Sequence, residues 1–152
     1  MSDPITFDSA SPRFGMPLLF AGQVQKEAFV NESLSLLDGL IHCAIAGEAA
    51  SPPTTPVDGD TWMIASTPTG EWAERAGQLA LRQAGQWLYV TPRDGLRVLD
   101  RATGQEVRRA AGTWRRPVTP PLPSGGSVVD SEARAALADV VTALREAGIF
   151  AL

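Results

Sequence analysis

Few side chains in this sequence are of the kinds that do chemistry. There is one histidine, His42, beside the one cysteine, Cys43, and a single lysine, Lys26. A nucleophile and its base must face each other, and adjacent residues of a helix point about 100° apart. His42 and Cys43 therefore read as a core cysteine with a flanking histidine. A metal site would need these two plus carboxylates brought from far away. Asp58-Gly59-Asp60 has the look of a calcium loop, but the other ligand positions of such a loop are missing. The pair reads as a turn whose acids cap backbone before a strand. Glu71 and Glu74 are the right residue types for a hydrolase pair, yet they read as exposed loop glutamates. No catalytic residue, metal or cofactor is assigned, and the protein is not expected to be an enzyme.

The arginines are more informative. Between residues 93 and 116 lie Arg93, Arg97, Arg101, Arg108, Arg109, Arg115 and Arg116, against Asp94, Asp100 and Glu106. Guanidinium forks bind carboxylates bidentately and stack on aromatic rings. With Trp87, Tyr89 and Trp114 nearby, this stretch reads either as a surface for an anionic polymer or glycan, or as a solvated strand face. The candidate glycan surface is Trp72, Trp114, Arg108 and Arg109. Trp72 and Trp114 follow turns and should be partly exposed, whereas Trp62 and Trp87 should be inside.

The elements that position these residues fall into three unlike segments: residues 1–50, 51–116 and 129–152, the last behind a Pro/Gly-rich joint over 117–128. Residues 11–20 are apolar but punctuated by Pro and Gly, which predicts an extended arm. From Gln23 to Ala46 apolar residues recur at helical spacing. Val30, Leu34, Leu37, Ile41, Ala44 and Ile45 form one stripe, widened by Phe29, Leu36 and Leu40. So broad a stripe needs a cover, and Val30, Leu34, Leu37 and Ile41 are the candidate oligomer interface. The middle segment predicts five short antiparallel strands, 61–65, 78–82, 86–91, 96–100 and 105–109. Gly-x-Trp recurs at Gly70, Gly85 and Gly112, as a turn device at unequal intervals. The last segment predicts a helix capped by Asp130 or Ser131 and stopped by Gly148. Ala133, Leu137, Val140, Leu144 and Ala147 make a short heptad seam. Leu137, Val140, Leu144 and Ile149 are the candidate docking residues for a partner. The fold class expected is α+β.

Composition narrows the role. The chain has 152 residues, 44% hydrophobic and 20% charged, enough for a core. A net charge of -4 speaks against a nucleic-acid coat and a polybasic membrane binder. No segment has the roughly 20 apolar residues of a membrane span. The N-terminus lacks the pattern of a secretory signal, so assembly in the cytosol is expected.

Pro12-Arg-Phe-Gly-Met-Pro-Leu-Leu-Phe-Ala-Gly-Gln23, Gln25-Lys-Glu27, Asn31-Glu32, Leu37-Asp38, Pro56-Val-Asp-Gly-Asp60, Gly70-Glu-Trp72, Gly85-Gln-Trp87 and Pro92-Arg-Asp-Gly95 together resemble an uncharacterised domain family. That family is found in prophages and in gene transfer agents, the phage-like particles of alphaproteobacteria. The C-terminal heptad is similar to the helical tails of phage head-fibre proteins. The resemblance implies a structural virion protein, the base or connector of a head spike or fibre on a phage-like capsid. It would be a homo-oligomer touching the capsid vertex and a fibre protein, and would support attachment to the host surface. The alternative expectation is a carbohydrate-binding module that contacts host capsular polysaccharide directly.

Overall fold

The computed structural model describes residues 9–22 and 26–152. Gln23, where the sequence pattern starts its helix, Gln25 and the first eight residues lie outside them. The fold is α+β and divides into two compact units, the chain up to Pro92 and Arg93–Leu152. The first unit holds α1 (Lys26–Leu40), β1 (Ala44–Ala49), β2 (Thr61–Ile64), a 3-10 turn (Gly70–Trp72), β3 (Leu79–Gln83) and β4 (Gln86–Val90). The second holds β5 (Arg97–Asp100), β6 (Gln105–Ala110), β7 (Thr113–Arg115) and α2 (Ser131–Glu146).

α1 is shorter than its apolar pattern predicts. It stops at Leu40, and His42 takes a left-handed φ of 45° that no helix interior tolerates. Residues 44–49 then run as β1, with Ile45 fully buried. Ile41 is thus off the helix, and the Ala44–Ile45 part of the expected stripe belongs to a sheet. A short apolar run fits either period, and here the sheet wins because β1 pairs with β2.

Residues 9–22 are not an extended arm. They fold back through a turn in which Ser11 N donates to Met16 O (2.9 Å) and Ala10 bridges Pro17. One polar face of α1 holds this turn. The buried Asp38 carboxylate accepts from Ser11 Oγ (2.6 Å), Arg13 N (3.0 Å) and Phe14 N (2.8 Å). Arg13 reaches back and donates to the carbonyls of Asp38 (2.8 Å), Gly39 (2.9 Å) and His42 (3.1 Å). A cation on the orphan carbonyls of a helix C-terminus satisfies them and opposes the dipole. Two turns earlier Asn31 pairs with both backbone groups of Leu19, and Glu27 accepts from Gly22 N.

In the first unit the strand order is β4-β3-β2-β1. β2–β3 and β3–β4 are antiparallel, but β1 and β2 are parallel, so the expected all-antiparallel meander needs correcting. The proline-rich joint 50–60 makes the crossover that a parallel pair requires. α1 packs on β3 at Gly39, where a Cβ would lie 2.0 Å from Leu81 Cδ2, so any larger residue must displace the buried Leu81 side chain. On the other face Trp72 meets Trp87 edge to face at 5.2 Å, with Ile64 and Ala80 completing the cluster.

In the second unit β5, β6 and β7 form an antiparallel meander. α2 has the predicted ends: Asp130 caps it through Ala133 N (2.8 Å), and Gly148 follows with φ 71°. The tail after α2 is pinned rather than separable. Glu106 N donates to Gly148 O (2.7 Å), Gln105 Nε2 to Ile149 O (2.8 Å), and Leu152 N to Thr103 O (3.1 Å).

The two units repeat one device. Pro56-x-Asp58-Gly59 precedes β2, and Pro92-x-Asp94-Gly95 precedes β5. Arg82-x-Ala-Gly-x-Trp87 turns from β3 to β4, and Arg109-x-Ala-Gly-x-Trp114 from β6 to β7. Asp58 accepts from Gly85 N at 3.1 Å, and Asp94 from Gly112 N at 3.1 Å. Gly59 N and Gly95 N donate to Arg82 O and Arg109 O at 2.8 and 2.9 Å. Arg82 lies over Trp87 and Arg109 over Trp114. Both hairpins put Ala-Gly at positive φ, the type I′ turn that matches strand twist.

Two outcomes follow. Asp38→Ala leaves three donors without their acceptor and should lower unfolding stability by about 3 kcal/mol, read from the urea midpoint; a change under about 0.5 kcal/mol would contradict the clamp. Burial pushes the Cys43 thiol from 9.0 up to about 11, with Arg13 pulling the other way. Its folded value lies above the unfolded one, so the stability it contributes is complete below 9.0 and is lost as pH rises through about 11. Alkylation of the native protein at pH 8 should be slow and should become fast on unfolding.

Candidate functional site

The second unit carries a row of guanidiniums. Register places Arg97 opposite Arg108 and Arg108 opposite Arg115, so the three share one face of the β5-β6-β7 meander. All three are exposed. Like charges directly opposite each other destabilise a sheet. Arg97 is relieved by Glu106 at 3.3 Å. Arg108 and Arg115 make no ion pair among the described residues. Arg116 is anchored instead, by a 2.7 Å bond to the buried Asp100. These residues border an open groove of about 420 Å³, with Pro117 and Ile149 as its apolar wall. Two uncompensated forks over an apolar wall suit an anionic group on a larger ligand.

The second feature is the direction in which the helices face. α1 buries Ser35, Asp38 and Gly39. Three residues of its apolar stripe look outward, Phe29 75% and Leu37 50% exposed and Val30 exposed as well, while Leu36 and Leu40 are half-buried. Leu34 is half-buried, and Ile41 is exposed just beyond the helix end. Phe14 and Phe20 of the folded-back turn are also half exposed. On α2 only Val141 is buried, while the seam residues Leu137 and Val140 are 48% and 54% exposed. Leu144 is half-buried, and Ile149 lines the arginine groove.

The expected glycan surface does not survive as written. Trp72 is 0% exposed, because the 3-10 turn after Gly70 carries it into the core against Trp87. Trp87 is buried as expected, and Trp62 only half-buried. Trp114 is half-buried under Arg109, 5.6 Å from ring centre to guanidinium, while Arg108 is exposed on the opposite face of β6. Asp58 serves the β3–β4 turn, where it also pairs with Arg82 at 3.8 Å. Glu71, in the 3-10 turn, and Glu74, just after it, are both exposed. Among the described residues no group of three His, Cys, Asp or Glu is placed to hold a metal ion, and no helix is long and apolar enough to cross a membrane.

Sequence reasoning missed the Asp38 clamp and the repeat. The signal for the clamp was Glu27, Asn31 and Asp38 on one helix face. The signal for the repeat was the recurrence of Pro-x-Asp-Gly ahead of Arg-x-Ala-Gly-x-Trp.

No curated protein matches this chain. A family described as "Protein of unknown function (DUF2793)" matches residues 30–115, more than half of the chain. The matched span holds most of α1, all seven strands and both copies of the Asp-Gly and Ala-Gly-x-Trp device. The chain therefore belongs to the DUF2793 family.

Proposed function

We propose that this protein is a structural, non-catalytic component of a phage-like particle, the base or connector of a head spike or fibre. It assembles as a homo-oligomer through the outward face of α1. It meets a capsid vertex or a fibre protein through the α2 seam, and so supports attachment to the host surface after assembly in the bacterial cytoplasm. The observation that carries the reading is the inverted burial of α1. A helix of a self-sufficient domain turns its apolar stripe inward. Here the polar face is bound to the chain's own turn, and Phe29, Val30 and Leu37 are left for another surface. Contiguous apolar patches of this kind mark interaction sites. The motifs of residues 12–38 and 56–95, which resemble a prophage and gene-transfer-agent domain, support placing that assembly in a particle. Direct contact with capsular polysaccharide loses one of the two tryptophans it leaned on, because Trp72 is buried and only Trp114 stays half-exposed.

Sedimentation velocity on the full chain tests the reading. The wild type should run as a multimer, and Phe29→Ser/Leu37→Ser should shift it to a smaller species while leaving the unfolding midpoint within about 0.5 kcal/mol of wild type. A wild-type protein that stays monomeric at high concentration would overturn it. Leu137→Ser/Val140→Ser should keep the multimer and abolish incorporation into particles.

A further inference from the structure

The arginine groove of the second unit stands where the first unit seats a helix. In the first unit the row equivalent to Arg97–Arg108–Arg115 is Thr61–Leu81–Leu88, aligned by the shared Asp-Gly and Arg-x-Ala-Gly-x-Trp devices and by identical register. α1 lies on the Thr61–Leu81 part of that row: Ser35, Asp38 and Gly39 border those two residues around a residual cleft of only about 10 Å³. In the second unit the same row is exposed and borders about 420 Å³ of open groove. One three-stranded scaffold thus occurs twice, once with a helix in place and once with the seat open and guanidiniums where the first copy has one threonine and two leucines.

A helix of matching charge is present in the same sequence. Glu132, Asp139 and Glu146 stand one heptad apart along α2, and all three are exposed. The side chains of Asp139 and Glu146 make no hydrogen bond or ion pair among the described residues. Seven residues rise by about 10.5 Å along a helix. Two strand-to-strand steps, from Arg97 across Arg108 to Arg115, come to about 9.6 Å. The carboxylate stripe therefore spans the arginine row. It also lies well round the helix from the buried Val141, so it faces away from the unit that α2 belongs to.

We propose that α2 of a second copy of this chain occupies the groove, laying Asp139 and Glu146 across Arg97, Arg108 and Arg115. The contact replaces the unfavourable opposition of Arg108 and Arg115 with charge-assisted, bidentate hydrogen bonds. It names one interface within the homo-oligomer, and so rests on the assembly reading above. Because it is carried by charge at a rim open to water, it weakens as salt rises.

The test is sedimentation of the full chain at low and high salt. Arg108→Glu/Arg115→Glu should raise the dissociation constant by about tenfold or more. Adding Asp139→Arg/Glu146→Arg to the same chain should restore association, because the pairs re-form with their signs exchanged. Arg108→Gln/Arg115→Gln should also weaken association, with a thermal midpoint no lower than wild type since the like-charge opposition is gone. Unchanged association of the Arg→Glu variant, or failure of the charge exchange to restore it, would overturn the groove while leaving the assembly reading in place. A strictly monomeric wild type would remove both.

Discussion

The structure hangs on a buried carboxylate. Asp38 gathers a side-chain hydroxyl and two backbone amides from residues 11–14, and the Arg13 guanidinium closes the circuit on the carbonyls that follow it in α1. A carboxylate so far from water is tolerable only with several donors around it. Those donors come from a turn some 25 residues earlier, so the turn cannot leave without stranding the charge. This one requirement sets the rotation of α1. With Asp38 inward and Gly39 against Leu81, the helix has no freedom to bury Phe29, Val30 or Leu37. The exposed apolar face is thus a consequence of a satisfied polar one.

The same logic explains how one small β device can carry two different outer faces. In each, an Asp-Gly turn accepts and donates across the neighbouring hairpin, and an arginine lies over the tryptophan that follows it. These bonds fix the backbone without reference to the residues on the opposite face. That face carries Thr61, Leu81 and Leu88 in the first unit, with α1 over the first two, and Arg97, Arg108 and Arg115 along an open groove in the second. A three-stranded meander is marginal alone. The first copy gains its cover from α1 and from Trp72, which sits in the long β2–β3 connection, residues 65–78. The second has only residues 101–104 in the equivalent place and draws on the tail after α2.

What was legible in the sequence is what local rules control. α2 could be delimited because Asp130 and Gly148 are cap residues whose geometry depends on no distant partner. The strand cores of β2 to β6 were legible because Gly and Pro punctuate them. The end of α1 was not, because Ile41 to Ala46 is apolar on either period and only pairing with β2 decides it. Trp72 was misplaced for a related reason: a tryptophan after a turn looks exposed until a second tryptophan, fifteen residues on, is folded against it. The repeat was hidden by the unequal β2–β3 and β5–β6 connections, which shift the motifs out of a fixed period. The row of arginines was visible as composition. Its alignment was not, because facing side chains depend on register, and a one-residue slip would scatter them over two faces.

That last point bears on why the arginines stand as they do. Arg109, on the buried side of the meander, lies over Trp114, and Arg116, just past β7 at the groove's edge, is held by Asp100. Arg108 and Arg115, on the open side, oppose each other across one strand spacing with no acid assigned to them. A chain needing only a solvated face has every reason to alternate charges there, as it does at Arg97 and Glu106. Keeping two guanidiniums opposed costs the fold some stability, a cost that the proposed carboxylate contact would remove. In the proposed assembly the arginines of the open face and the exposed apolar residues of α1 and α2 would be the same kind of feature, surface left for another copy or partner to cover.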